Sequence, residues 1–148
     1  MSRPLIGLSE GPPGVPFFLM EYIEGFAGTP ITIAGTSSIS YTAYKAGTST
    51  IIDAGSIDKS TTVFDSPVSS DPRWKPSDKL AYPAYNFGWR VPPSAVPGGL
   101  EKIRLVIIGV ETGADANTWM IVHDRSPTNI GLTSTTPNLI TSRRGDRL

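Results

Sequence analysis

The chain has 148 residues, no cysteine, and equal numbers of basic and acidic residues, 13 of each. That length holds one hydrophobic core and not two. The composition excludes a disulfide framework and a thiolate metal site, and the balanced charge argues against nucleic acid or an anionic membrane surface as partner. Gly (15) and Pro (14) approach a fifth of the chain, against roughly an eighth in average usage. Such an excess suits short strands and tight turns, not a helical bundle.

Residues 1–15 read as an extended N-terminal arm. Pro4, Pro12 and Pro13, with Gly7, Gly11 and Gly14, forbid a helix. The arm has one basic residue and no apolar core of a signal peptide, so synthesis in the cytoplasm is expected. From Pro16 the chain turns apolar, and Phe17 to Ile23 reads as a first strand, followed by a turn over residues 24–30. Residues 37–45 alternate, with Ile39, Tyr41 and Ala43 on one face and Ser40, Thr42 and Tyr44 on the other. Ala46-Gly47 turns the chain into Thr48 to Asp53, making a hairpin. Thr61 to Phe64 reads as a short strand ended by Asp65-Ser66-Pro67.

Residues 66–83 are the longest internal loop and carry Trp74. Tyr85 to Val91 alternates again, placing Tyr85, Phe87 and Trp89 inward and Asn86, Gly88 and Arg90 outward. Pro92-Pro93 stops it, and Ser94 to Val96 is short enough for one helical turn. Glu101 to Glu111 is the strongest strand signal, with Ile103, Leu105 and Ile107 sharing a face. Its second half is apolar on both faces, as in a central strand. A turn at Thr112 to Asp115 leads to its partner, Asn117 to Asp124, with Trp119, Ile121 and His123 on one side. Beyond Arg125 the pattern stops, and residues 126–148 read as a second extended arm of Ser, Thr, Pro and Asn. About seven short antiparallel strands at regular spacing predict an all-β fold, an immunoglobulin-like β-sandwich over residues 16–125 with an arm at each end.

Chemistry-bearing patterns are sparse. His123 is the one histidine; it neighbours Asp124 along a strand, so the two side chains point apart and form no dyad. It reads as a strand-end surface histidine. The aspartates are scattered, with no calcium-loop or zinc spacing, and no phosphate-cradling Gly-rich motif opens a helix. No catalytic residue, metal or cofactor is expected. Trp74 and Tyr82 are candidates for stacking on a sugar ring. In the arms, Leu5, Ile6, Ile130, Leu132, Leu139, Ile140, Arg143 and Arg144 are candidates for contacts with neighbouring subunits. Arg144-Gly145-Asp146 reads as a chance tripeptide.

Five segments occur in a recognisable order: GPPGVPFFL (11–19), TSSISYTAY (36–44), VFD with DPRW (63–65, 71–74), YNFGWRVPPSAVP (85–97) and RLVIIGVETGADANTWMIV (104–122). That order resembles small structural proteins of tailed phages and prophages related to the N-terminal domain of the baseplate upper protein. Spaced aromatics and turn residues carry the resemblance over residues 11–124. It implies an immunoglobulin-like module of a virion, without the long helical and trimeric parts of baseplate proteins. The expected role is a non-enzymatic head decoration (cement) protein, or a neck or tail component. Other virion proteins and further copies of itself are the expected partners. The alternative is a carbohydrate- or receptor-binding module of a tail fibre or baseplate.

Overall fold

The computed structural model describes residues 4–74, 83–96, 98 and 101–128. Among them are eight strands: β1 (Leu5–Gly11), β2 (Phe18–Glu21), β3 (Thr36–Lys45), β4 (Ile51–Ile57), β5 (Val63–Val68), β6 (Tyr85–Arg90), β7 (Ile103–Glu111) and β8 (Thr118–Pro127). The only helical turns among these residues are Lys59–Thr62, capped by the Asp58 side chain, and Pro93–Ala95. The all-β expectation holds. Five strands form one sheet in the order β1-β8-β7-β3-β4, and three form a second in the order β2-β6-β5.

One core joins the two sheets. It takes Ile39 and Ala43 from β3, Leu105 and Ile107 from β7, Trp119 and Ile121 from β8, and meets Leu19, Phe87 and Trp89 from the smaller sheet. The rings of Phe87 and Trp119 touch edge to face across it, 5.8 Å between centroids. This contact requires Gly109 on β7: a Cβ there would lie 2.0 Å from the Trp119 indole, its register partner on β8. The β3–β4 hairpin turns at Gly47, whose φ of 78° is open to glycine at little cost.

Four strand readings need correction. Residues 5–11, expected as part of an arm, form β1, and it runs parallel to β8, so the sheet is not wholly antiparallel. β8 itself extends past Arg125 to Pro127. Residues Lys59–Thr62 make a helical turn where a strand was expected to begin, and β5 continues through Pro67 to Val68. A sheet-edge strand tolerates that proline, and the β5–β6 register slips across it. Finally, β6 is buried on both sides from Tyr85 to Trp89. Asn86, expected outside, is fully buried, because its amide acts as a strand partner. Its Oδ1 accepts from Ile23 N and its Nδ2 donates to Ile23 O, both at 2.8 Å.

Candidate functional site

The edge strands β1 and β2, one from each sheet, border an open cleft of about 750 Å3 lined by Gly7, Ser9, Phe17, Glu21, His123 and Arg125, among others. β1 alternates along it. Gly7, Ser9 and Gly11 face inward, while Ile6 and Leu8 face out and are 71% and 80% exposed. The inward positions are small because β8 presents large side chains to them. A Cβ on Gly7 would lie 2.6 Å from His123 Nδ1, and one on Gly11 would collide with the Arg125 guanidinium.

His123 is buried, contrary to the surface position expected for it, because β1 lies over its face of β8. Its Nε2 is 2.7 Å from Ser9 Oγ. Arg125 Nη1 donates to the same oxygen at 3.1 Å, leaving the Ser9 proton to point at Nε2. That assignment puts the ring proton on Nδ1, which is buried without a hydrogen-bond partner among the described residues. Phe17 completes the group: the imidazole stacks on it at 5.7 Å, and the Arg125 guanidinium lies 4.0 Å from its ring centroid. Burial, with the Arg125 charge second, pulls the His123 pKa down to about 4.

A serine within hydrogen-bond reach of a histidine invites comparison with a nucleophile and its base. Two features oppose that use. A general base works best with a pKa near the operating pH, and this imidazole lies far below. No acceptor holds Nδ1–H among the described residues, so the third member of a triad is not among them. The contact joins β1 to β8 through their side chains.

The stacking candidates fare differently. Trp74 is only 5% exposed. Its ring packs 5.5 Å from that of Tyr85, which also meets Phe18 and Phe64. Asp71 fastens the segment: it accepts from Arg73 Nη2 at 2.7 Å and from the Tyr85 hydroxyl at 2.7 Å, and the Arg73 contacts hold its carboxyl well below the ordinary range. Trp74 therefore offers no open face for a sugar. Tyr82 lies outside the described residues, as do Ile130, Leu132, Leu139, Ile140, Arg143 and Arg144. Leu5 is half-buried against the core and Ile6 is exposed beside it.

The outer side of the five-stranded sheet is mixed, with an apolar strip flanked by the Arg104–Asp124 ion pair on one side and by Ser40 and Ser56 on the other. Register aligns Ile6, Val122, Val106, Thr42 and Ala54 in one row across all five strands, with Met120 and Ile108 paired in the next. The alternation in β7 and β8 marked this face; its continuation into β1 was hidden, because the glycines there read as breakers. No group of three or more His, Asp or Glu among the described residues is placed to hold a metal, and no helix among them is long and apolar enough to cross a membrane. No family model, curated protein or solved structure matches the chain.

Proposed function

We propose that this chain is a non-enzymatic structural subunit of a tailed-phage virion. It is an immunoglobulin-like β-sandwich made in the host cytoplasm, and it serves as a head decoration protein or as a neck or tail component. The observation that carries the reading is the apolar strip on the outer face of the five-stranded sheet, which runs through Val106 and Val122 out to an edge strand exposing Ile6 and Leu8. Contiguous apolar surface ending on an unpaired strand edge is a liability for a free monomer and an asset for a subunit. Neighbouring virion subunits, including copies of the chain, are its partners, and nucleic acid and membrane are not. The carbohydrate-binding alternative loses support with the burial of Trp74.

Peptide mass spectrometry of purified tailed particles from the host tests this reading. The chain should be present at a fixed copy number. Ile6→Asp with Leu8→Asp should preserve the fold and deplete the chain from particles. Particles that lack the chain altogether refute the virion role, and an unchanged copy number of the variant refutes the role of this face.

A further inference from the structure

Among the described residues the edge strands are β1 and β4 in the larger sheet, β2 and β5 in the smaller. Three of them are blunted in ways that keep edges from pairing. β5 carries Pro67 and slips register against β6. β2 has four residues. β4 turns the charged Asp53 inward beside Ala43, and its register against β3 breaks there. β1 has none of these defences. It pairs with β8 without a slip from Leu5 to Gly11, carries no proline or lysine, and exposes Ile6 and Leu8. Its backbone also has a direction. The Gly11 carbonyl accepts from Thr128 N–H on the β8 side. Alternate residues of a strand turn the same way, so Gly7 and Ser9 face β8 too, and Ile6, Leu8 and Glu10 turn their N–H and C=O to the open edge. Those three are centred on Leu8, as are Pro4 and Pro12, which bracket them. We propose that two copies of the chain pair β1 with β1, antiparallel about a two-fold axis at Leu8, joining their five-stranded sheets edge to edge.

In this register Leu8 pairs with Leu8 of the second copy, and Ile6 with its Glu10, each pair exchanging two N–H···O bonds. Pro4 and Pro12 have no N–H to give. They fall opposite each other just outside the ladder, whereas shifting the register either way by one step of the repeat sets a proline opposite one of the three open residues. On the inner side Gly7 meets Ser9, so no bulky side chain crowds the seam. The axis stands normal to the sheet, which puts both smaller sheets on one side of it, and the cleft between β1 and β2 leaves room there. Charge agrees with the same axis. β2 passes β1 in the opposite sense: Glu21 Oε2 lies 3.5 Å from the place of a Gly7 Cβ, and the guanidinium that a Gly11 Cβ would strike lies on Phe17. Rotation about Leu8 sets the Glu21 end of one β2 level with the Phe18 end of the other, where Arg73 lies 4.1 Å from the Phe18 ring centroid. Opposite charges are thus brought level at both ends of the seam. The proposal rests on the reading that this edge is an interface, and it names the occupant as a second copy; it does not require a virion.

Sedimentation of the full-length protein, over concentrations up to about 1 mM, should show a dimer that grows no further, because a two-fold contact uses the edge up. Leu8→Lys and Leu8→Glu each set two like charges face to face at the axis and should weaken the dimer by about tenfold or more. Mixed in equal amounts, the two variants should recover a heterodimer, because position 8 faces position 8 only in this register. Leu8 is 80% exposed, so both variants should keep the parent's urea midpoint. Cysteines give a second measurement in a chain that has none. Opposed Cβ atoms about 5 Å apart are slightly wide for a disulfide, so a short bis-thiol crosslinker is the probe. It should link Leu8→Cys into dimers and leave Ile6→Cys unlinked, since the two Ile6 positions lie about 13 Å apart along the ladder. A monomer throughout, open-ended growth, a mixture of the charged variants that gains nothing, or Ile6→Cys linking as readily as Leu8→Cys overturns the proposal. All of this is read in solution, and none of it bears on whether the chain is found in particles.

Discussion

Acid should loosen this fold through a single imidazole. His123 is the chain's one histidine. Unfolded, it titrates near about 6.5; folded, burial and Arg125 pull it down to about 4. Below the unfolded value, the unfolded chain takes up a proton that the folded chain refuses. Stability therefore falls as pH drops from about 6.5 towards about 4 and the loss saturates below that. The whole difference is about 3 kcal/mol, of which about 2 kcal/mol is lost between about pH 7 and about pH 5. Asp53, Asp71 and Asp124 are held below the ordinary carboxylate range by hydrogen bonds from Tyr41, Arg73 and Arg104 respectively. Their stabilising effects are present above the ordinary carboxylate pKa and are lost lower on the scale, below about pH 4. Urea titrations followed by tryptophan fluorescence would measure the change. With a slope of about 1.5 kcal/mol per molar, the midpoint should fall by about 1.3 M over that interval. In His123→Gln the midpoint should be nearly flat over the same range. Amide exchange in β1 should quicken first, since release of that strand is what exposes the ring. A midpoint unchanged down to about pH 5, or an equal fall in His123→Gln, would refute the reasoning.

Three further changes probe the packing. Gly109→Ala places a Cβ 2.0 Å from the Trp119 indole and should cost about 3 kcal/mol or prevent folding; denaturant midpoints would show it, and adding Trp119→Leu should recover part of the loss. Asn86→Ala strands the buried N–H and C=O of Ile23 and should cost about 3 kcal/mol, with faster exchange of the Ile23 amide as the local signature. Trp74→Ala removes a buried ring that packs on Tyr85 and should cost about 3 kcal/mol in thermal or urea unfolding; an unchanged midpoint would mean that the ring is not packed as described.

β7 and β8 were legible because their apolar periods are long and β-branched, and the inward set of Ile103, Leu105, Ile107, Trp119 and Ile121 is the buried one. The hairpin of β3 and β4 was legible from alternation and the turn at Gly47. β1 was not, because Gly7 and Gly11 are breakers by propensity, and the demand for them comes from His123 and Arg125, more than a hundred residues away. No local pattern announces a parallel pairing between the two ends of a chain. The same blind spot hid the Ser9–His123 contact: the parity of His123 was right, and its exposure was wrong because the strand that covers it was unseen. Trp74 shows the converse, where loop composition suggested an open ring and Asp71, Arg73 and Tyr85 fold it away. The one signal that could have found the cleft was the small-residue alternation of Gly7, Ser9 and Gly11, against outward Ile6 and Leu8.

The parallel pairing of β1 with β8 also sets how the domain carries load. The chain enters at Leu5 beside Ile121 and leaves β8 at Pro127 beside Gly11. Tension between those two points pulls the neighbouring strands in opposite directions along their length. The ladder from Leu5 to Gly11 is then stressed in shear, with its hydrogen bonds sharing the force and not opening one after another. A domain held by its two ends in this way should resist stretching far better than one whose terminal strands peel from a sheet.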